Sequence, residues 1–234
     1  MVTYHGYWGS IMIVARLLSL AAGFVCASTV HAAEPFDLRG IKLGVTLSDF
    51  RKMPHPDGQQ TKVICTGDPD AKRRVLFASD DEDAAGVRVC NHYEFKKLFA
   101  SSSLPPEWTE TSLNVATINV FMTYKFVPDT KRGNEPALYS IIVRSNVTNW
   151  NKFWEGYNGK YGKPQSVSNA STQNRAGATF DNVTATWEND QSSITLIKRF
   201  SRIDNTYILY EHQRLAAEIK RRVQQKKGKP SDKL

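Results

Sequence analysis

Between residues 116 and 126 the chain alternates, and this alternation limits the fold more than any other feature. Ala116, Ile118, Val120, Met122, Tyr124 and Phe126 share one face of an extended segment. Thr117, Asn119, Thr123 and Lys125 share the other, with Phe121 as an apolar exception. A period of two held this long belongs to a strand with one covered and one wet face, the usual state in an antiparallel sheet. A polar loop from Pro128 to Pro136 follows, and Leu138 to Val143 returns as a second strand. The wet face of this sheet carries Thr117, Asn119 and Phe121, and these three form the candidate binding face.

The period then changes. Trp150, Phe153, Trp154, Tyr157 and Tyr161 fall on one stripe of a helix, with Thr148 as its expected N-cap and Gly162 and Pro164 as its stop. An aromatic stripe at helical spacing predicts packing against the sheet. A shorter helix is expected after Thr46, with Asp49 three residues on and Leu47, Phe50 and Met53 on its apolar edge. Further strands are expected near 61–66, 73–78, 86–95, 178–188, 192–200 and 206–210. Polar connections are expected at 96–108 and 166–177, and the acidic run Asp80 to Asp83 is expected to form a solvated turn. The fold class is therefore α+β: an antiparallel sheet of about eight strands with helices on one face, as one domain over 33–213 or two tandem units split near 146.

From Met12 the chain reads as a signal peptide. Arg16 supplies the basic start, Leu17 to Val30 the apolar run, and Val30-His31-Ala32 the cleavage site. Met12 is the expected start, because Met1 to Ile11 contain no basic side chain. The apolar run is shorter than the roughly 20 residues that span a bilayer. A lipid anchor at Cys26 would need a small residue just before it, and Val25 stands there. The chain is expected to be exported, into the periplasm of a bacterial envelope or beyond, after cleavage near Ala32.

Export bears on the cysteines. Cys65 and Cys90 remain after cleavage, both in strand-like segments, and an oxidising compartment predicts a disulfide between them. The alternatives are free thiols, or a metal site using both with His92 and His55, although the close ligand spacings of zinc sites are missing.

The net charge of +8 suggests a polyanionic partner, but its distribution argues against nucleic acid. From 214 to 234, eight Lys or Arg face only Glu218 and Asp232, whereas the body between 33 and 213 is close to neutral with its signs interspersed. The basicity belongs to a C-terminal helix from about Glu211 to Gln225 and the tail beyond it, where Leu215, Ile219 and Val223 can lean on the body. Arg214, Lys220, Arg221, Arg222, Lys226, Lys227 and Lys229 are the candidates for contact with anionic lipid. The other reading is a solvated helix end.

Two places announce a helix ahead of strands: Gly44-Val45-Thr46-Leu47-Ser48-Asp49-Phe50, and the helix over 148–164 that closes on Lys160-Tyr161-Gly162-Lys163-Pro164. This order, with the hairpin from Phe180 to Trp187, resembles the small exported bacterial domains of the SmpA/OmlA and beta-lactamase-inhibitor-protein type. The resemblance implies helices packed on a curved antiparallel sheet and a role in holding other proteins. The chain departs from that pattern in having one clear helix per unit and no lipoprotein cysteine.

No nucleophile elbow, zinc-protease motif, phosphate loop or dinucleotide fingerprint is present, and no cofactor is expected. His92, two residues from Cys90, is the one candidate base. Glu94, Glu107, Glu110, Glu155 and Glu188 are a pool of carboxylates with no motif around them. The expected function is non-catalytic binding of another envelope protein through the open sheet face. The alternative is a hydrolase or small-ligand binder with a cleft at the sheet edge.

Overall fold

A computed structural model describes residues 34–73, 78–96 and 107–227. The expected signal segment and cleavage site, Cys26, Lys229 and most of the expected strand at 73–78 lie outside the described residues. The short strands β1 (Asp37–Leu38) and β2 (Ile41–Lys42) form a hairpin, followed by α1 (Leu47–Phe50), β3 (Lys62–Cys65), a 3-10 turn (Pro69–Arg73) and α2 (Asp80–Ala85). Next come β4 (Arg88–Lys96), β5 (Glu107–Glu110), β6 (Leu113–Val115), β7 (Ile118–Asp129) and β8 (Glu135–Asn146). The rest is α3 (Trp150–Tyr161), β9 (Ser166–Gln173), β10 (Thr179–Glu188), β11 (Ser192–Ile197), β12 (Asn205–His212) and α4 (Gln213–Lys227).

The main sheet runs β3-β4-β7-β8-β12-β11-β10-β9, with β5 on β4 and β6 on β7, and every pairing is antiparallel. This order divides into two halves of one plan. Helix α1 precedes β3-β4-β7-β8, and α3 precedes β9-β10-β11-β12. The halves meet at their last strands, where Ile208 pairs with Val143 and Tyr210 with Ile141. Two adjacent antiparallel strands are related by an axis normal to the sheet, so this join sets α1 and α3 on the same face. Leu47 and Phe50 of α1 and Trp150, Phe153 and Tyr157 of α3 share one core cluster with the inward residues of both halves.

A second, smaller cluster lies on the opposite face, where Leu215 and Val223 of α4 and Ala85 of α2 cover Val89, Val127, Ala137 and Tyr139. Helix α4 is tied down at its start by Arg214, whose guanidinium donates two 2.7 Å hydrogen bonds to the carboxylate of fully buried Asp129. That pairing holds the Asp129 carboxyl below its usual range.

Several sequence expectations are corrected. The acidic run Asp80 to Asp83 is not a turn but the first turn of α2. Ser79 and Glu82 form a reciprocal capping box there, and Gly86 closes the helix at φ 76°. Carboxylates at a helix N-terminus face free N–H groups and the positive end of the dipole, so an acidic cluster starts a helix as readily as it solvates a loop. The connection expected at 166–177 contains β9, a strand at the edge of the sheet whose residues are nearly all exposed. With almost none of its side chains buried on either face, it shows no alternation. The connection expected at 96–108 ends in β5. Helix α3 is entered through a 3-10 turn, Val147–Asn149, capped by the Asn146 side chain rather than by Thr148, and α4 begins at Gln213 rather than Glu211.

Thr117 is also displaced. Strand β7 begins at Ile118, and Ala116 and Thr117 form a two-residue turn from β6, with φ of 50° and 64°. Two positive φ values are what a tight hairpin of this type demands, and they are normally supplied by Asn and Gly, so the sequence carries no turn signal here.

Candidate functional site

Each β-strand residue presented away from the α1–α3 core falls in a row across the sheet, because paired residues share a face. One row reads Phe121, Arg144, Tyr207, Ile197 and Thr184, taken from β7, β8, β12, β11 and β10. The next reads Thr123, Ile142, Leu209, Thr195 and Thr186, all half-buried. Helices α2 and α4 cover the neighbouring end of this face but leave these rows open. On the other side, Tyr93 and Phe95 of β4 stand opposite Glu110 and Trp108 of β5 on the same face.

Three of the four exposed large hydrophobic side chains among the described residues belong to this surface. Phe95, 59% exposed, meets Trp108 at 5.2 Å between ring centroids. Phe200 meets Tyr207 at 4.9 Å. Phe121, 48% exposed, stands opposite Arg144 in the register. A cation is added where Lys62 Nζ lies 5.5 Å over the Trp108 ring. The surface is therefore a band of aromatic rings with arginine and threonine between them.

At its centre is a cleft of about 440 Å³. Phe121 and Tyr207 form its apolar part, and the amides of Asn119, Asn146, Asn149 and Asn205 its polar part. Arg144 and Glu110 supply its charges. Their closest approach is 3.8 Å, too long for a hydrogen bond, so the Arg144 donors keep spare capacity. Glu110 accepts a 2.7 Å bond from Asn91 Nδ2, and burial pushes its carboxyl above the usual range.

Of the three face residues expected from sequence, the structure brings Asn119 and Phe121 into this cleft and leaves Thr117 in the turn beyond the strand end. Arg144, Tyr207 and the β4–β5 aromatics were missed. Arg144 and Tyr207 lie on strands whose polar face carries no distinctive pattern, and only the cross-strand register aligns them with Phe121.

The disulfide between Cys65 and Cys90 is present, joining directly opposed residues of β3 and β4 in the core. It removes both thiols from the alternative metal set, and among the described residues no group of three or more His, Cys, Asp or Glu could hold a metal ion. His92 packs on the covered face between Phe50, His55 and Tyr124, with Nδ1 at 3.0 Å from Thr61 Oγ1. Burial pushes its pKa down to about 3, so at neutral pH it is an uncharged core ring. Within the carboxylate pool only Glu110 lines the cleft.

The basic helix divides in two. Arg214 holds Asp129, Arg221 and Arg222 hold Glu218, and Arg222 Nη2 donates to Asn134 Oδ1 at 2.7 Å. Lys220 and Lys226 are exposed, Lys227 ends the helix, and Lys229 lies beyond the described residues.

Comparison of the chain with protein-family models, with curated proteins and with solved structures finds no match.

Proposed function

We propose that this chain is a non-catalytic protein-binding module of the bacterial envelope, exported after cleavage near Ala32, and that it holds its partner on the open sheet face. One observation carries the reading: exposed rings and an arginine, ion-paired with Glu110 at 3.8 Å without a hydrogen bond, gathered on a single face. Tyr, Trp, Phe and Arg are the residues enriched in protein interfaces and in their energetic centres. The partner chemistry follows from the cleft. An acidic side chain reaches Arg144 and an apolar or aromatic one packs on Phe121 and Tyr207. The disulfide supports an oxidising compartment, and among the described residues no helix is long and apolar enough to cross a membrane. The resemblance to the SmpA/OmlA and beta-lactamase-inhibitor-protein domains points the same way, toward holding other proteins.

A role for the tail on anionic lipid rests on fewer cations than the sequence suggests, since three arginines are engaged within the fold. Removing α4 would uncover Val89, Val127, Ala137 and Tyr139, so charge reversal is the cleaner test. Crosslinked pull-downs from envelope extract would compare the mature chain, the pair Phe121→Asp with Arg144→Glu, and the pair Lys220→Glu with Lys226→Glu. The reading predicts a specific protein lost only in the first pair. Loss only in the second pair would move binding to α4, and no specific capture by the wild-type chain would overturn the reading.

The alternative of a hydrolase draws on one feature, the raised carboxyl of Glu110 in the cleft. Under it, Glu110→Gln abolishes a measurable hydrolysis that the Phe121→Asp pair merely weakens.

A further inference from the structure

On the other side of the sheet, beneath α3, a separate cavity of about 290 Å³ opens between that helix, the β1–β2 hairpin and the β6–β7 turn. Its walls are apolar, formed by Leu38, Val115 and the rings of Tyr157, Tyr161 and Tyr210. The hydroxyls of Tyr157 and Tyr210 bond each other at 2.6 Å, and Tyr161 donates to the Asp37 carbonyl at 3.2 Å. The rings are thereby fixed with their polar atoms satisfied. Such a preformed, mostly apolar hollow with a few polar groups at its edge is the common form of a small-molecule site.

Local sequence rules are broken three times around this one cavity. Gly156 sits in the middle of α3, where glycine disfavours the helix. Packing does not require it there. A Cβ at that position would meet only the Ala116 Cβ, at an ordinary 3.5 Å, so what the glycine preserves is the open volume. Ala116, on the facing wall, holds φ 50°, and Arg39, at the rim, holds φ 55°. Departures from local preference gather at functional sites when the surrounding fold enforces them.

The rim sets the charge of the ligand. Arg39 and Lys160 both line the cavity. Asp57 accepts a 2.9 Å bond from Arg39, and Asp37 stands 3.7 Å from Lys160, but neither acid lines the cavity. Lys160 is half exposed, lies 4.9 Å over the Tyr161 ring and pairs with Asp37 at 3.7 Å. A bound anion would compete with Asp37 for its ammonium.

We propose that this cavity binds a small amphipathic carboxylate, its apolar body against the three tyrosines and its carboxylate at Lys160 and Arg39. The test is isothermal titration of the full chain with 3-phenylpropionate, octanoate and the neutral 3-phenylpropionamide. Saturable binding of one or both acids is expected, the favoured one showing whether a ring or a short acyl chain is preferred. The amide should bind more weakly by roughly tenfold, the scale of one charge-assisted hydrogen bond. Lys160→Gln should weaken the acids by a similar factor and leave the amide unchanged. Gly156→Leu fills the space while favouring the helix and should abolish binding, and Gly156→Ala should reduce it in proportion. Circular dichroism would verify that both variants stay folded. No binding of either acid overturns the proposal. So does binding that survives Gly156→Leu, or amide binding equal to that of the acid.

Discussion

His92 shows how burial sets the behaviour of a single residue. Its ring contributes to an aromatic cluster with Phe50 and Tyr124, and its low pKa means it enters that cluster uncharged. An unfolded histidine titrates near 6.5. Between that value and about 3 the unfolded chain binds a proton that the folded chain refuses, so stability is full above pH 6.5 and is lost as pH falls. The slope for one such group is at most about 1.4 kcal/mol per pH unit. His92→Phe keeps the ring and removes the proton site, so its stability should fall less steeply than wild type between pH 6.5 and 4 in urea titrations. His55 and His212 are also pushed down by burial, and the variant therefore flattens the profile without levelling it. Parallel profiles for variant and wild type would show that His92 is not the group responsible. His92 was legible in the sequence as a titratable ring beside Cys90. That it faces the core rather than a cleft was not, because a strand position specifies a face only once the covered face is known.

At the scale of elements, the turn between β6 and β7 is the clearest departure from local preference. Ala116 and Thr117 both hold positive φ without glycine, and the left-handed region costs a side-chain-bearing residue roughly 1–2 kcal/mol. Ala116→Asn with Thr117→Gly supplies the residues this turn type prefers. The double variant should be more stable by about 1–2 kcal/mol in denaturant titrations, with the Val115 and Ile118 pairing unchanged. No gain, or a loss, would mean that the turn is held by contacts the native side chains make. The helices were partly legible. The Thr46 cap of α1 and the aromatic stripe of α3 follow from spacing alone. Helix α2 was hidden, since an acidic run reads as solvated surface until Ser79 is recognised as its cap.

At the scale of the molecule, the two halves share one sheet and one core. Tyr124 and Ile141 from the first pack in the same cluster as Trp187 and Ile208 from the second. Neither half can lose its packing alone, which predicts one cooperative transition. The disulfide offers a direct test because it lies wholly in the first half, closing a separation of 25 residues. On the chain-entropy account its removal costs roughly 3.5 kcal/mol. In Cys65→Ala with Cys90→Ala, carried in a mature chain whose Trp108 is replaced by Phe, the remaining Trp150, Trp154 and Trp187 of the second half should report the same lowered midpoint as backbone circular dichroism. A fluorescence midpoint left at the wild-type value would show that the halves unfold separately.

Local order was determined by the sequence alone. A strand with one covered face declares itself by its period of two, a packed helix by its stripe, and a pair of cysteines in strands by their number and setting. Each of these signals is contained within one segment. Tertiary structure decided which segments meet. Only the join of β8 to β12 makes one sheet of two halves, and only cross-strand register brings Phe121, Arg144 and Tyr207 into one cleft. The same holds for the exposed edge strand β9, for α2 and α4 on the second face, and for the cavity between Gly156 and Ala116. Pairing and packing depend on contacts between residues far apart in the chain, whose energies no single segment carries.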